Sequence, residues 1–325
     1  MLLRSQHWLA QTPDAMAALS AAAADPLAAA VPLRWLAALH HLALQGLSPW
    51  AGLWPPAEAD PSDAALDDAI RAAWATQRPS LLAALALPPQ TNEVQRSAAL
   101  LPALLHIAAQ TGLPMALVEV GASAGLNLWC DHYRHDHDVW AWGDSKSALT
   151  LRSDWRGPPP RQAPLHIARR AGCDARPIDL RQPGEANRLA SFIWADQRER
   201  LTRLQSACAL ASARMAATGI TVQAAHAADF VRDQLQQRVS GQAFVLMHAV
   251  VWQYIAADEQ ADIRAQMTMA GTTATAQSPL AWLRFEPPAP DQGIELRCQI
   301  WPNGADRLLA RCHPHAASIA WIGPP

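Results

Sequence analysis

Apolar positions change rhythm near residue 114. From Leu2 to about Gln90 they recur at helical spacing, as at Leu33, Leu36, Ala37, Leu39 and His40, and the run is cut by Pro26, Pro32, Pro49, Pro55, Pro56, Pro61, Pro79, Pro88 and Pro89. Proline suits the first turn of a helix and the connections between helices, and removes a hydrogen bond from a helix interior. The pattern therefore predicts short helices over 1–90. Thr91-Asn92-Glu93 offers an N-cap for an amphipathic helix over Val94–Gln110, with Pro102 kinking or restarting it and Gly112 and Pro114 closing it. Beyond Pro114 the run Met115–Val120, the turn Gly121–Gly125 and the stretch Leu126–Trp129 read as strand, glycine turn and helix start.

Strand-like runs then alternate with helical ones. Ile220–Gln223 precedes a helix near Asp229–Val239, Phe244–His248 precedes a helix near Asp258–Met269, and Leu280–Phe285 follows. Such alternation predicts an α/β fold around a mostly parallel, doubly wound sheet. Ile294–Trp301 and Leu308–His313, continuing to Trp321, flank the turn Pro302–Asp306, so the sheet is expected to close with an antiparallel hairpin. The chain divides into a helical region, 1–90, and a sheet domain, 91–325. Within the latter, 129–164 is a polar, Trp- and Pro-containing insertion, too long for a simple connection and read as a functional loop or lid.

Composition narrows the partners. In 325 residues, 26 Lys and Arg face 28 Asp and Glu, a formal net charge of −2, which leaves no field to hold nucleic acid or an anionic membrane. Five cysteines without a CxxC pair argue against a disulfide framework or structural zinc and fit a reducing cytoplasm. The early apolar run is broken by Gln6, His7, Gln11 and Asp14, which gives no signal peptide, and no stretch of eighteen strongly apolar residues exists. The expected partner is a small molecule in the cytoplasm.

The most informative residues are Glu119-Val120-Gly121-Ala122-Ser123-Ala124-Gly125. A strand followed by close glycines lets the backbone approach a ligand and aims helix N–H groups at its negative end. The same residues satisfy G-x-S-x-G with Ser123 at the apex, the elbow of a serine hydrolase. That enzyme needs several strands and an oxyanion loop upstream, where this chain reads as helices. A non-catalytic ligand-binding protein is the third reading. Asp131, His132, His135, Asp136, His137 and Asp138 hold enough ligands for a metal at a spacing that fits no familiar closed site, so a polar gating loop is preferred and no metal is assigned. A second polar cluster, His248, Trp252, Gln253 and Tyr254, directly follows Phe244–Met247, where ligands of open α/β sheets sit.

Together with Asp131–Arg134, Gly172–Leu180 and Trp194–Gln197, these segments resemble a bacterial family of unknown function, numbered 2332, over about 90–325 and more weakly before it. The order of elements is similar to that of class I S-adenosylmethionine-dependent methyltransferases. The resemblance implies a Rossmann-like, methyltransferase-type sheet and S-adenosylmethionine as cofactor, held by Glu119, Gly121, Ser123, Gly125 and Asn127. It places Asp174 or Asp179 on the ribose and Asp229 at the adenine amino group, although Asp229 also reads as an N-cap. Methyl transfer to an unknown small molecule would involve His248 and Tyr254 as catalytic residues, with Tyr133, Arg134, Trp252 and Gln253 binding the acceptor. One spacing departs: a ribose acid follows the glycine turn by about 20 residues, whereas Asp174 lies 174 − 121 = 53 residues on. Either the 129–164 insertion accounts for this or the pocket is altered.

Overall fold

The computed structural model describes residues 2–27, 29–47, 61–86, 89–194, 196–289 and 292–324; Pro49, Pro55, Pro56, Pro88 and Ala195 lie outside them. The chain runs α1 (Leu2–Ala10), α2 (Pro13–Ala21), α3 (Val31–Leu44), α4 (Asp63–Leu85), α5 (Ser97–Thr111), β1 (Met115–Val120), β2 (Arg134–His137), β3 (Trp140–Trp142), β4 (Thr150–Leu151), β5 (Asp154–Arg156) and β6 (Ile167–Asp174). It continues through α6 (Glu185–Ser191), α7 (Arg198–Thr218), β7 (Val222–Ala224), α8 (Ala227–Gln236), β8 (Ala243–Ala249), α9 (Ala257–Thr272), β9 (Leu280–Glu286), β10 (Ile294–Trp301), β11 (Ala305–Cys312) and β12 (Ser318–Trp321).

These elements form two compact units. The first, Met1–Thr91 with Gln182–Gln205, is helical, as the proline-cut pattern predicts. Pro32 sits in the first turn of α3, where its missing N–H costs nothing. Helix α4 is longer than expected because a local irregularity at Gln77 (φ −122°, ψ 17°) absorbs Pro79. Trp8, Trp35 and Trp74 meet at 6.0–6.1 Å between ring centroids and anchor its core. Gln182–Gln205 belongs here although the sequence pattern places it with the sheet: Asn187 Nδ2 donates to Leu44 O, and His40 Nδ1 lies 3.2 and 3.1 Å from the carbonyls of Ser191 and Ile193.

The second unit, Asn92–Arg181 with Ser206–Pro325, is built on a nine-stranded sheet ordered β5-β12-β11-β10-β9-β8-β1-β6-β7. Strands β7, β6, β1, β8 and β9 are parallel. Counted among themselves they lie in chain order 3-2-1-4-5, so the order reverses between β1 and β8, where open sheets leave a crevice beyond the strand ends. β1 is buried throughout, the reason its sequence reads as a continuous apolar run. The closing part is larger than a hairpin: β9, β10, β11 and β12 form an antiparallel meander, and β5 then pairs in parallel with β12. Val118, Val120, Phe244, Leu246 and Trp282 share a core with residues of α8 and α9 on one face. Helix α5, which runs unbroken through Pro102, packs against β9, β10 and β11.

The 129–164 insertion, read as a loop or lid, is largely a packed substructure, irregular from 157 onward. β3, β2 and β4 form a small sheet, and β5 joins the large one. His135 and His137 face a tryptophan core: His137 lies 4.5 Å from Trp140 and 5.4 Å from Trp155, ring centre to ring centre. His135 Nε2 meets Cys130 O at 2.8 Å, and burial pushes this imidazole down to about 3, so it is neutral near pH 7. The Ser153 N–H donates to His137 Nδ1 at 3.1 Å, which makes that nitrogen the bare one. Alternation along β2 turns both imidazoles inward, and among the described residues no group of three or more His, Cys, Asp or Glu is arranged to hold a metal. No described helix is long and apolar enough to cross a membrane.

Candidate functional site

β1 ends in a turn whose conformation explains its glycines. Gly121 and Gly125 have φ of +69° and +73°, and Ser123, at +53°, takes the left-handed region without being glycine. A Cβ placed on Gly121 would fall 2.7 Å from Val251 Cβ and nearer still to its Cγ2. Gly121 therefore admits the side chain of Val251, from the turn after β8. No α-helix follows, contrary to the expectation for Leu126–Trp129: the chain makes 3-10 turns over Leu126–His132, irregular at Trp129 (φ −107°), before entering the insertion.

Five of the turn's backbone donors are spent internally. Ala122 N–H donates to Cys173 O, Ser123 N–H to Asp174 Oδ2, Gly125 N–H to Ala122 O, Leu126 N–H to Asn92 Oδ1 and Leu128 N–H to Gly125 O. A phosphate-cradling loop needs such groups pointed at its ligand. Tyr133, fully buried, supports the turn from behind by donating its hydroxyl hydrogen to Leu126 O at 2.6 Å. Arg134 is committed to the insertion through Gly143 O at 3.0 Å. Close by, the Asp131–Arg170 pair, 2.5 Å apart and largely buried, lies against Trp129.

Glu119 is the unusual group of this region. It is 2% exposed at the end of β1; Asn127 Nδ2 donates to its Oε1 at 3.5 Å, and Ser97 Oγ donates to Asn127 Oδ1 at 2.8 Å. Oε2 is buried with no hydrogen-bond partner among the described residues. Burial is the main cause that raises this carboxyl to about 8, assisted by the nearby Asp174 and opposed by Asn127 and Arg96. Glu119 is thus mostly protonated at pH 7. Arg96 spans to Ala249 O at 3.0 Å and Pro314 O at 3.2 Å.

The segment Asn92–Ser97 is the part of the site that sequence reasoning missed. It reads as a helix cap, and Glu93 does cap the 3-10 turn Val94–Arg96, yet Asn92, Glu93, Gln95 and Ser97 are all buried. More polar residues than one cap requires was the available signal.

The three ribose and adenine candidates fare differently. Asp174 is the last residue of β6, and its carboxylate accepts Ser123 N–H and Arg176 N–H at 2.9 and 2.8 Å, tying the turn to the strand beside it. The 53-residue spacing is explained, since the whole insertion lies between β1 and β6. Asp179 is held in a two-point pair by Arg181 at 2.8 Å. Asp229 is the third residue of α8, with His226 at the N-cap, which corrects the capping expectation; its exposed side chain pairs with Arg232 at 2.7 Å.

The second cluster lies on the other face. Val120 and His248 are register partners in β1 and β8, so their side chains share the α8–α9 side while Glu119 points away. His248 is 2% exposed, with Nδ1 2.7 Å from Glu286 Oε1 at the end of β9. The same oxygen accepts Val251 N–H at 3.1 Å and Trp252 N–H at 3.3 Å. Trp252 stacks on the imidazole at 4.8 Å and 19°, and Trp282 closes the group at 6.0 Å from His248. Val250, which begins the turn, has φ +54°, a conformation costly for a β-branched residue by about 1–3 kcal/mol. Gln253 and Tyr254 project outward, Tyr254 being 77% exposed. Val251 links the clusters by packing over Gly121. Glu286, the last residue of β9 before Pro287 and Pro288, carries no local signal in the sequence.

The cysteines add no nucleophile. All five are buried and unpaired, and burial pushes Cys173, Cys208, Cys298 and Cys312 up to about 12.

Together these features define a mixed α/β protein whose buried polar groups gather at the carboxyl ends of a mostly parallel sheet. The chain belongs to the family described as "Uncharacterized protein conserved in bacteria (DUF2332)", whose profile matches residues 4–321. No curated protein and no solved structure matches the chain.

Proposed function

We propose that this protein is a cytoplasmic methyltransferase with a Rossmann-like second unit, binding S-adenosylmethionine at the glycine turn and methylating a small molecule. The observation that carries the reading is Glu119: a buried carboxyl with one unpartnered oxygen, beside a turn of which five backbone donors are occupied. Such a site suits a cation better than a phosphate. S-adenosylmethionine carries an ammonium and a sulfonium and no phosphate, whereas a dinucleotide would need the donors already used. The 3-2-1-4-5 strand order and the acid at the end of the second parallel strand support the same reading.

Glu119 and the turn 121–127 would hold the amino-acid end, with Asp174 fixing the turn and Asp179 and Asp229 reaching the nucleoside only by leaving their arginines. When bound, the sulfonium supplies an electrophilic methyl group. Trp252, Gln253 and Tyr254 would meet the acceptor, and Tyr133 and Arg134 act as framework. Titration calorimetry with S-adenosylmethionine and its demethylated product, S-adenosylhomocysteine, tests this. Saturable heat is expected for both, with Glu119→Gln weakening S-adenosylmethionine by about tenfold, or about 1.4 kcal/mol. No heat with either compound would overturn the reading.

The serine hydrolase predicts otherwise. Ser123 Oγ is buried with no partner among the described residues, whereas a nucleophilic serine needs a base in hydrogen-bond reach. Fluorophosphonate labelling is expected to be absent; stoichiometric labelling of Ser123 would reinstate the hydrolase.

A further inference from the structure

We propose that Glu286 is a positioning residue which holds His248 as a proton acceptor, with its ring proton on Nδ1 and Nε2 bare, so that the methyl acceptor is a hydroxyl or N–H compound that must shed a proton. The methyl-transfer half of this statement rests on the proposed function above; the dyad does not. Three hydrogen bonds converge on Glu286 Oε1, and two of them come from backbone N–H groups that can only donate. That oxygen is therefore an acceptor, and His248 Nδ1 at 2.7 Å must carry the proton. In the neutral ring Nε2 is then the bare nitrogen; it is buried and without a partner among the described residues.

The surroundings fit a site better than a core. The ring sits at the carboxyl end of the fourth parallel strand, in register with Val120 and one residue from the glycine turn. Its cover, Trp252, belongs to a short turn entered through the strained Val250 and pinned by the same Glu286 oxygen. Backbone strain at such a place is a reservoir that persists where surrounding bonds enforce it. In the proposed step, the acceptor's oxygen or nitrogen bonds to the methyl carbon as the carbon–sulfur bond breaks with its electron pair onto sulfur. The acceptor's proton passes to Nε2, and the resulting imidazolium is held against the Glu286 carboxylate until water removes that proton.

The test is two-bond 1H–15N spectroscopy of the full chain labelled with 15N-histidine, with His248 assigned by the signal missing from His248→Asn. In the wild type, Nδ1 should appear protonated and Nε2 bare. Glu286→Gln should keep that tautomer, because Val251 and Trp252 fix its amide oxygen toward the ring. Its Hδ1 resonance should move upfield as the charge-assisted bond is lost. Glu286→Leu should release the proton to Nε2, the tautomer preferred by free imidazole. S-adenosylhomocysteine affinity should change by less than about threefold in both variants, equivalent to under about 0.7 kcal/mol. An Nε2–H tautomer in the wild type, or a Glu286→Gln spectrum identical to it, would overturn the dyad. The expected tautomers with no heat from S-adenosylhomocysteine would keep the dyad and remove the methyl donor.

Discussion

Gly121→Ala is expected to destabilise the second unit by about 2–5 kcal/mol and to abolish ligand binding at the turn. Two separable costs add. A left-handed φ of +69° costs an L-residue about 1–2 kcal/mol, and forcing a methyl group against Val251 adds overpacking of about 1–3 kcal/mol. The second cost has a named partner and so can be removed alone. In Gly121→Ala with Val251→Gly, the atoms that block the new Cβ are gone, while the backbone term stays. Urea unfolding of the wild type, both single variants and the double variant should show a coupling of about 1–3 kcal/mol. Strict additivity would mean that Gly121 is chosen for its φ alone. The structure thereby revises the usual account of the first glycine: it makes room for a neighbouring turn of the same chain as well as for a ligand.

That revision shows what the sequence could and could not reveal. Alternation and turn chemistry located β1, β8, β9 and the β10–β11 pair within a few residues, because apolar runs bounded by Gly and Pro are local signals. Glu119 and His248 were legible for a related reason: a charged or titratable residue at the end of a buried strand stands out against its neighbours. Glu286, Val251 and the Asn92–Ser97 run were not. Their importance comes from partners 30 or more residues away, such as Glu286 with Val251 at a separation of 35, Asn92 with Leu126 at 34 and Ser97 with Asn127 at 30, and no local pattern encodes them. The 129–164 insertion reads as a loop because its letters are polar. His135 and His137 look like a gating loop until alternation along β2 turns both rings toward Trp140, with Trp142 beside His135 and Trp155 beside His137. The pairing of Gln182–Gln205 with the first unit is likewise a tertiary fact, carried by His40 and Asn187.

Glu119→Gln is expected to be more stable than the wild type in alkaline solution, by a margin that grows with pH. The folded chain holds the Glu119 carboxyl at about 8, against 4.5 in its ordinary state. Below about 4.5 both folded and unfolded chains carry the proton and the residue is neutral in the balance. Between 4.5 and 8 the unfolded chain releases a proton that the folded one keeps, so stability falls as pH rises, by about 1.4 kcal/mol per pH unit. Above 8 the loss levels off, at up to about 5 kcal/mol. Glutamine cannot ionise and keeps an amide oxygen for Asn127, so this loss is absent from the variant. The acid limb does not interfere. His135, lowered to about 3 by burial, destabilises the fold as pH falls from about 6.5 toward 3, equally in both proteins, and cancels in the difference. Urea midpoints at half-unit steps from pH 5 to 9 should diverge steadily; parallel curves would show that Glu119 is ionised in the folded state. A cationic ligand then has a defined signature. By pairing with Glu119 it favours the ionised carboxylate and expels the proton, so S-adenosylmethionine, whose α-ammonium stays charged over this range, should stabilise the wild type more at pH 7 than at pH 5.5 and stabilise Glu119→Gln equally at both. Equal stabilisation of the wild type at the two pH values would place the cation away from Glu119, and the buried carboxyl would then be a structural acid that the ligand never meets.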